Sequence, residues 1–239
     1  MFPIGDDNSD RVIVPYVNYA FIGLNILVFL FLQGLGSNEV FNMAFSLIPK
    51  EITTGIDLVG PQQFIGGNQA AVLMEQPAPF GVYFNFLSSM FMHGGISHIA
   101  GNMRFLWIFG DNIENLVGHI RYLVFYLICG FGAGLAQVLM TPGSIIPMLG
   151  ASGAISGVLG GYMLLFPKRR VRALIFNMYT TVPAFVALGI WIGYQMLMGY
   201  MNTDVGGVAY AAHIGGFIAG VALIKLFALG KSPRVFRQA

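Results

Sequence analysis

The chain has 239 residues, of which 56% are hydrophobic and 9% charged, with a formal net charge of +2. So few charges cannot coat a water-soluble globule of this size, and so small a net charge excludes a nucleic-acid partner recognised through a basic surface. The composition specifies an integral membrane protein, and because its apolar runs are near or above the roughly 18 to 20 residues of a spanning helix, the expected class is all-α. Cys129, the only cysteine, lies in an apolar run, so neither an internal disulfide nor a thiolate metal cluster is expected. The first residues, MFPIGDDNSDRVIVP, are acidic and lack the basic start and short apolar stretch of a cleaved signal, so the first helix is expected to be retained.

Helix one is expected from about Val14 to Leu35, where Gly34, Gly36, Ser37 and Asn38 stop it. From Glu39 to Gly95 apolar pieces alternate with Pro, Gly and Gln, so none can cross a bilayer unbroken, and the aromatic and methionine content predicts a structured, partly membrane-embedded lid. Helix two is predicted from Ile96 to Phe109 and carries His98, Asn102 and Arg104, costly residues at membrane depth. Helix three follows over Tyr122 to Met140, and the loop TPGSIIPMLG leads into helix four, which starts at Ser152 and stops at Phe166 before Pro167 and the basic run Lys168, Arg169, Arg170 and Arg172. Helix five is expected over Ala173 to Met198, bent at Pro183. Asn202, Asp204, Gly206 and Gly207 make a turn, helix six runs from Val208 to Leu229, and Lys231, Arg234 and Arg237 form a basic tail. This makes six spans in a single polytopic domain over residues 1–239, with its core at 14–229. Arg121, the run Lys168 to Arg172 and the stretch Lys225 to Arg237 fall on one side of these alternating spans, so that side, with both termini, is expected in the cytoplasm and the long first loop and Ser152 outside.

In GASGAISGVLGGY the serine Ser152 opens a helix, where the dipole favours developing negative charge and suits a nucleophile. Gly153, Gly157 and Gly161 repeat every fourth residue, beside a second small row of Ser152, Ser156 and Gly160. Alone, such rows more often mark a packing face than a site. In AAHIGGFIAG, however, His213, Gly216 and Gly220 share one face, and packing it on the Gly153 and Gly157 face brings His213 near Ser152 as a general base. His98 and Asn102, at i and i+4, share a face of helix two and can donate, with the Ser152 backbone N–H, to the oxyanion of a tetrahedral intermediate. No aspartate is placed for a triad, since Asp204 reads as a turn residue, so a Ser-His dyad is expected. GASG is not the G-x-S-x-G elbow, and no strands exist for an α/β-hydrolase sheet.

These pieces carry a resemblance. HGGISHIAGN, WIFGDNIE, GASGAISG and AHIGGFIAG, in that order between Met92 and Leu229, resemble the motifs of the rhomboid family of intramembrane serine proteases. The resemblance implies a six-helix bundle in which Ser152 is the nucleophile, His213 the base, and His98 and Asn102 members of the oxyanion site. It also matches His93 to a histidine before helix two and Glu114 to an acidic residue at the inner end of that helix. It implies cleavage of transmembrane helices of other proteins in or near the bilayer, reached between helices two and five beneath a loop cap, in a plasma (inner) membrane, without cofactor or metal. Two features depart from the pattern: Ser156 stands where some members have a tyrosine stacking on the base, and residues 39–95 contain no Trp-Arg pair. Arg104 lies about 200° around the helix from Asn102, so it should face away from the oxyanion site and snorkel or pair with loop carbonyls. The rivals are a transporter with a polar path along His98, Asn102, Arg104 and His213, which predicts internal repeats that the sequence lacks, and a non-catalytic relative that only binds membrane helices, which predicts loss of the serine or histidine.

Overall fold

In a computed structural model, residues 2–66, 69–175, 178–201 and 209–231 are described, and the protein is mostly helical. The elements in order are β1 (Phe2–Gly5), α1 (Tyr16–Leu27), α2 (Glu39–Phe45), α3 (Pro49–Thr54), β2 (Gly60–Gly66), β3 (Gln69–Glu75), α4 (Asn85–Ser88), α5 (Ile96–Phe105), α6 (Asp111–Val117), α7 (His119–Met140), α8 (Ser152–Leu165), β4 (Arg170–Ile175), β5 (Met178–Pro183), α9 (Ala184–Met201) and α10 (Tyr210–Phe227). Helices α7, α9 and α10 are long and apolar enough to cross a membrane, while Tyr16–Leu32 and Ser152–Leu165 are apolar but shorter.

The α8 helix is the axis of the bundle, buried from Gly153 to Tyr162. It can be enclosed this fully because glycines let its neighbours approach to backbone contact. A Cβ on Gly216 would lie 2.1 Å from the Gly153 carbonyl oxygen, and one on Gly220 only 1.9 Å from that of Gly157. Gly153 and Gly157 serve a second neighbour too, since their own missing Cβ positions point at Ala133 and Cys129 of α7, at 2.6 and 2.3 Å. Gly161, also expected in this seam, faces the Ile224 side chain of α10 and the Phe125 ring of α7, and Gly160 joins it with a closer approach, a Cβ there falling 2.3 Å from the Phe217 carbonyl oxygen.

Helix two is one rod of α5, a π-helical turn over Leu106–Gly110 and α6. Asn18 of α1 fits against this turn, its Nδ2 donating to the Leu106 carbonyl at 3.0 Å and its Oδ1 accepting from the Tyr122 hydroxyl at 2.7 Å. Glu114 accepts from the backbone N–H groups of Val17 and Asn18 at 2.9 and 2.7 Å, satisfying orphan donors at the start of α1 with a charge that suits the helix dipole.

Two small sheets correct the all-α expectation. At the end of the bundle opposite Ser152, β4 and β5 form an antiparallel hairpin extended by β1 on its β4 edge. Helix five therefore begins at Ala184, and Pro183 bends no helix: it closes β5. Val171, Thr180, Thr181 and Val182 favour a strand here, and proline is harmless at a strand end before a helix start. Beside this sheet Asp6 accepts from Asn112 and the Tyr162 hydroxyl, and burial pushes its carboxyl up to about 7. Arg104 donates from Nε to the Pro3 carbonyl, a carbonyl of strand β1 where one of a loop was expected.

The segment from Glu39 to Gly95 is structured, holding α2, α3, the β2–β3 hairpin and α4. Glu51 of α3 and Glu75 at the end of β3 are both buried, and desolvation raises both carboxyls to about 7. The turn Asn202 to Gly207 and the basic residues Arg234 and Arg237 lie outside the described residues.

Candidate active site

The loop before α8 is held on three sides. Leu47 and Met148 exchange backbone hydrogen bonds at 2.9 and 2.8 Å, the Lys50 N–H donates to the Ser144 carbonyl, and the Gly150 N–H donates to the Ser89 carbonyl. Gly150 then turns with φ +139°, a region that L side chains rarely adopt, and a Cβ there would press on the His98 ring at 3.0 Å. This turn delivers Ser152 to the first position of α8, where the leading N–H groups have no acceptor within the helix.

His213 stands one turn into α10, whose start is tied to α7 by the Ala212 N–H donating to Gln137 Oε1 at 3.3 Å. With the glycine seam drawn tight, the Ser152 hydroxyl donates to His213 Nε2 at 2.7 Å. The other ring nitrogen, Nδ1, donates to Gln195 Oε1 of α9 at 2.8 Å, and the Trp191 ring lies tilted at 6.0 Å between centroids. Ser156 does not stack on the imidazole: its hydroxyl donates to the Ser152 carbonyl.

Ser152 and His213 open on a cavity of about 530 Å3, also lined by His98, Asn102, Gly150, Trp191 and Gln195. His98 Nδ1 accepts from the Gly94 N–H at 3.3 Å, which leaves Nε2 as the protonated, donating nitrogen. Asn102 is 8% exposed, and its Nδ2 has no acceptor among the described residues. A buried amide with an unspent donor is unfavourable unless a ligand completes it. His93 packs edge-on against the His98 ring from a fully buried position, and its backbone is fixed by both ends of the Gln33 carboxamide. Arg104 is absent from the cavity lining. No group of three or more His, Cys, Asp or Glu side chains among the described residues is arranged to hold a metal ion.

A sequence model of the Rhomboid domain matches residues 81–229, well over half of the chain. The chain belongs to the rhomboid family. Its curated relatives include the Rhomboid protease GluP of Bacillus subtilis (strain 168), 26% identical over 211 residues that make up 87% of this chain and 35% of GluP. RHOMBOID-like protein 4 of Arabidopsis thaliana is 27% identical across 87% of this chain and 52% of its own length, and the mitochondrial Presenilin-associated rhomboid-like protein of Homo sapiens is 34% identical over 56% and 35%. This rhomboid chain thus spans about a third to a half of the length of these relatives.

Of the residues singled out in the sequence, Ser152, His213, His98 and Asn102 line one cavity, while Glu114 lies at the far end of helix two as a cap for α1. Gln195 and Trp191, both in contact with His213, were not singled out. The only signal for Gln195 was a lone carboxamide in an otherwise apolar run, which at membrane depth marks a partnered group.

Proposed function

We propose that this rhomboid is an intramembrane serine endopeptidase that hydrolyses peptide bonds in or near transmembrane helices of other membrane proteins. One observation carries the reading: the hydrogen bond from the Ser152 hydroxyl to His213 Nε2, at 2.7 Å, inside a cavity that also presents unspent donors. His213 Nε2 takes the hydroxyl proton as Ser152 Oγ attacks the scissile carbonyl carbon, and His98 Nε2–H, Asn102 Nδ2 and the Ser152 N–H donate to the oxyanion. Collapse of the tetrahedral intermediate expels the amine, to which His213 returns the proton, and leaves an acyl-Ser152 ester. Water, deprotonated by His213, then releases the acid and restores the serine. The name of GluP supports protease activity within the family.

The same reading takes Tyr16–Leu32, the α5–α6 rod, α7, α8, α9 and α10 as six spans of one membrane domain, with both termini cytoplasmic. The long loop and the cavity then face the extracytoplasmic side of the plasma membrane. Its support is the basic distribution and the apolar side chains turned outward from the bundle, among them Phe31 at 76%, Ile120 at 74% and Leu139 at 70% exposed, which a bilayer would cover. Substrate helices would reach Ser152 between helix two and α9.

The test is purified protein in liposomes with a generic transmembrane substrate. Wild type should cleave, and Ser152→Ala should be inactive yet folded. Cleavage retained by Ser152→Ala overturns the serine-protease reading, and a folded wild type that binds helices but never cleaves one favours a non-catalytic rhomboid.

A further inference from the structure

Gln195 stands out on α9. It is 7% exposed, and the other buried residues of that helix, Ala184, Ala187 and Leu188, are apolar. A carboxamide at membrane depth carries a desolvation cost that only a good partner offsets. Its Oε1 lies 2.8 Å from His213 Nδ1, and Trp191, one helical turn before it, touches the same ring. The i and i+4 pair therefore meets the imidazole from one side while Ser152 meets it from the other.

A carbonyl oxygen can only accept, so this contact requires the proton of neutral imidazole to sit on Nδ1. The Nε2 lone pair is then free for the proton of Ser152. The opposite tautomer would place a donor against the serine hydroxyl and could not act as its base. When attack puts a positive charge on the ring, the Nδ1–H bond to Gln195 becomes charge-assisted and strengthens. An amide gives less electrostatic help than a carboxylate, yet it avoids burying a second charge beside the site.

We propose that Gln195 is the positioning residue for His213, fixing its tautomer and ring orientation from α9, so that the reactive pair is assembled by three helices rather than two. This rests on the serine-protease reading above. It also supplies what Ser156, bonded instead to the Ser152 carbonyl, does not provide.

The experiment compares wild type, Gln195→Met and Gln195→Glu as full-length protein in liposomes. It measures kcat and KM with a generic transmembrane substrate across pH, and the rate at which a fluorophosphonate labels Ser152. Gln195→Met keeps length and bulk but removes the acceptor, so kcat and labelling should both fall about 10- to 100-fold with KM little changed, a loss smaller than that of a general base itself. Gln195→Glu keeps an acceptor in place and should retain much more activity. It should also move the acid limb of the rate profile to higher pH, by about 1 to 3 units for an opposite charge this close. His98 is the other titratable side chain among the described residues lining the cavity, and a His98→Gln background checks that the moving limb is not its own.

Wild-type kcat in folded Gln195→Met, or equal losses in both variants with an unmoved acid limb, overturns the assignment and leaves Gln195 a packing residue. If Gln195→Met does not fold, the acid limb of Gln195→Glu decides alone. A wild type that cleaves nothing and is not labelled at Ser152 removes the protease reading and this assignment with it. A labelled wild type with an indifferent Gln195 removes only the latter.

Discussion

The glycine seam gives the sharpest quantitative expectation. A Cβ on Gly220 would sit 1.9 Å from the Gly157 carbonyl oxygen, whereas ordinary contact begins at 3.4 Å, so Gly220→Ala must part α8 and α10 locally by about 1.5 Å. The obstacle is backbone in the most enclosed helix of the fold, so no side-chain rotation relieves it. Ser152 and His213 sit on these two helices and are joined by a 2.7 Å hydrogen bond, which such a separation breaks. A misplacement of 1 Å can cost on the order of 10² in rate, so Gly220→Ala and Gly216→Ala should each lose about 10² or more in kcat/KM, although every reactive group remains. Gly23→Ala on α1 and Gly193→Ala on α9 are the controls, because a Cβ at either meets nothing within 4 Å. The assay is cleavage of a transmembrane substrate in liposomes, run beside thermal unfolding so that lost geometry is separated from lost protein. Wild-type turnover in Gly220→Ala would refute the seam as the device that brings His213 to Ser152.

Three further outcomes are expected. Asn102→Ala and His98→Ala should each lower kcat by about 10² to 10³ with little change in KM, since an oxyanion donor acts on charge present only in the transition state; steady-state kinetics with equal losses in both constants would make them structural bonds. Glu75 binds its proton more tightly folded, at about 7, than at its ordinary 4.5, so stability should fall as pH rises through that window and be lowest above it. Glu75→Gln should recover on the order of 2 kcal/mol at pH 8 and make the fall of the melting temperature between pH 4.5 and 7 shallower, the remaining slope coming from Glu51 and Asp6, which thermal unfolding against pH reads directly. Finally, in a Cys129→Ser background, a cysteine at Val59 should react with an impermeant thiol reagent from outside and one at Lys168 from the cytoplasm, and the reverse pattern would invert the proposed topology.

What could be read in the sequence followed from short-range periodicity. Gly153, Gly157, Gly216 and Gly220 carry the close approach of two helices in their spacing, and the proximity of Ser152 to His213 is a corollary of it. The start of helix five was hidden because beyond Arg172 the chain is largely apolar: in composition Ala173 to Pro183 continues into Ala184 without a clear break, and only its β-branched residues hint at a strand. That Gly160 meets the α10 backbone while Gly161 meets the Ile224 side chain reflects a crossing angle, which spacing alone does not supply. Gln195 was hidden for another reason: its partner lies 18 residues ahead on a different helix, and one-dimensional patterns do not report which face of α9 turns inward.

The paired amides of Leu47 and Met148, with those of Lys50 and Gly150, make the segment between Glu39 and Gly95 a buttress for the turn before α8. The turn that aims Ser152 has little secondary structure of its own, and it borrows rigidity from a segment roughly a hundred residues earlier in the chain. Loosening that segment would therefore be felt first as blurred aim at the serine. In hydrogen exchange, the amides at positions 47, 50, 148 and 150 should open together as one unit, and a protease nick in the β2–β3 hairpin, remote from the reacting atoms, should leave these four protected.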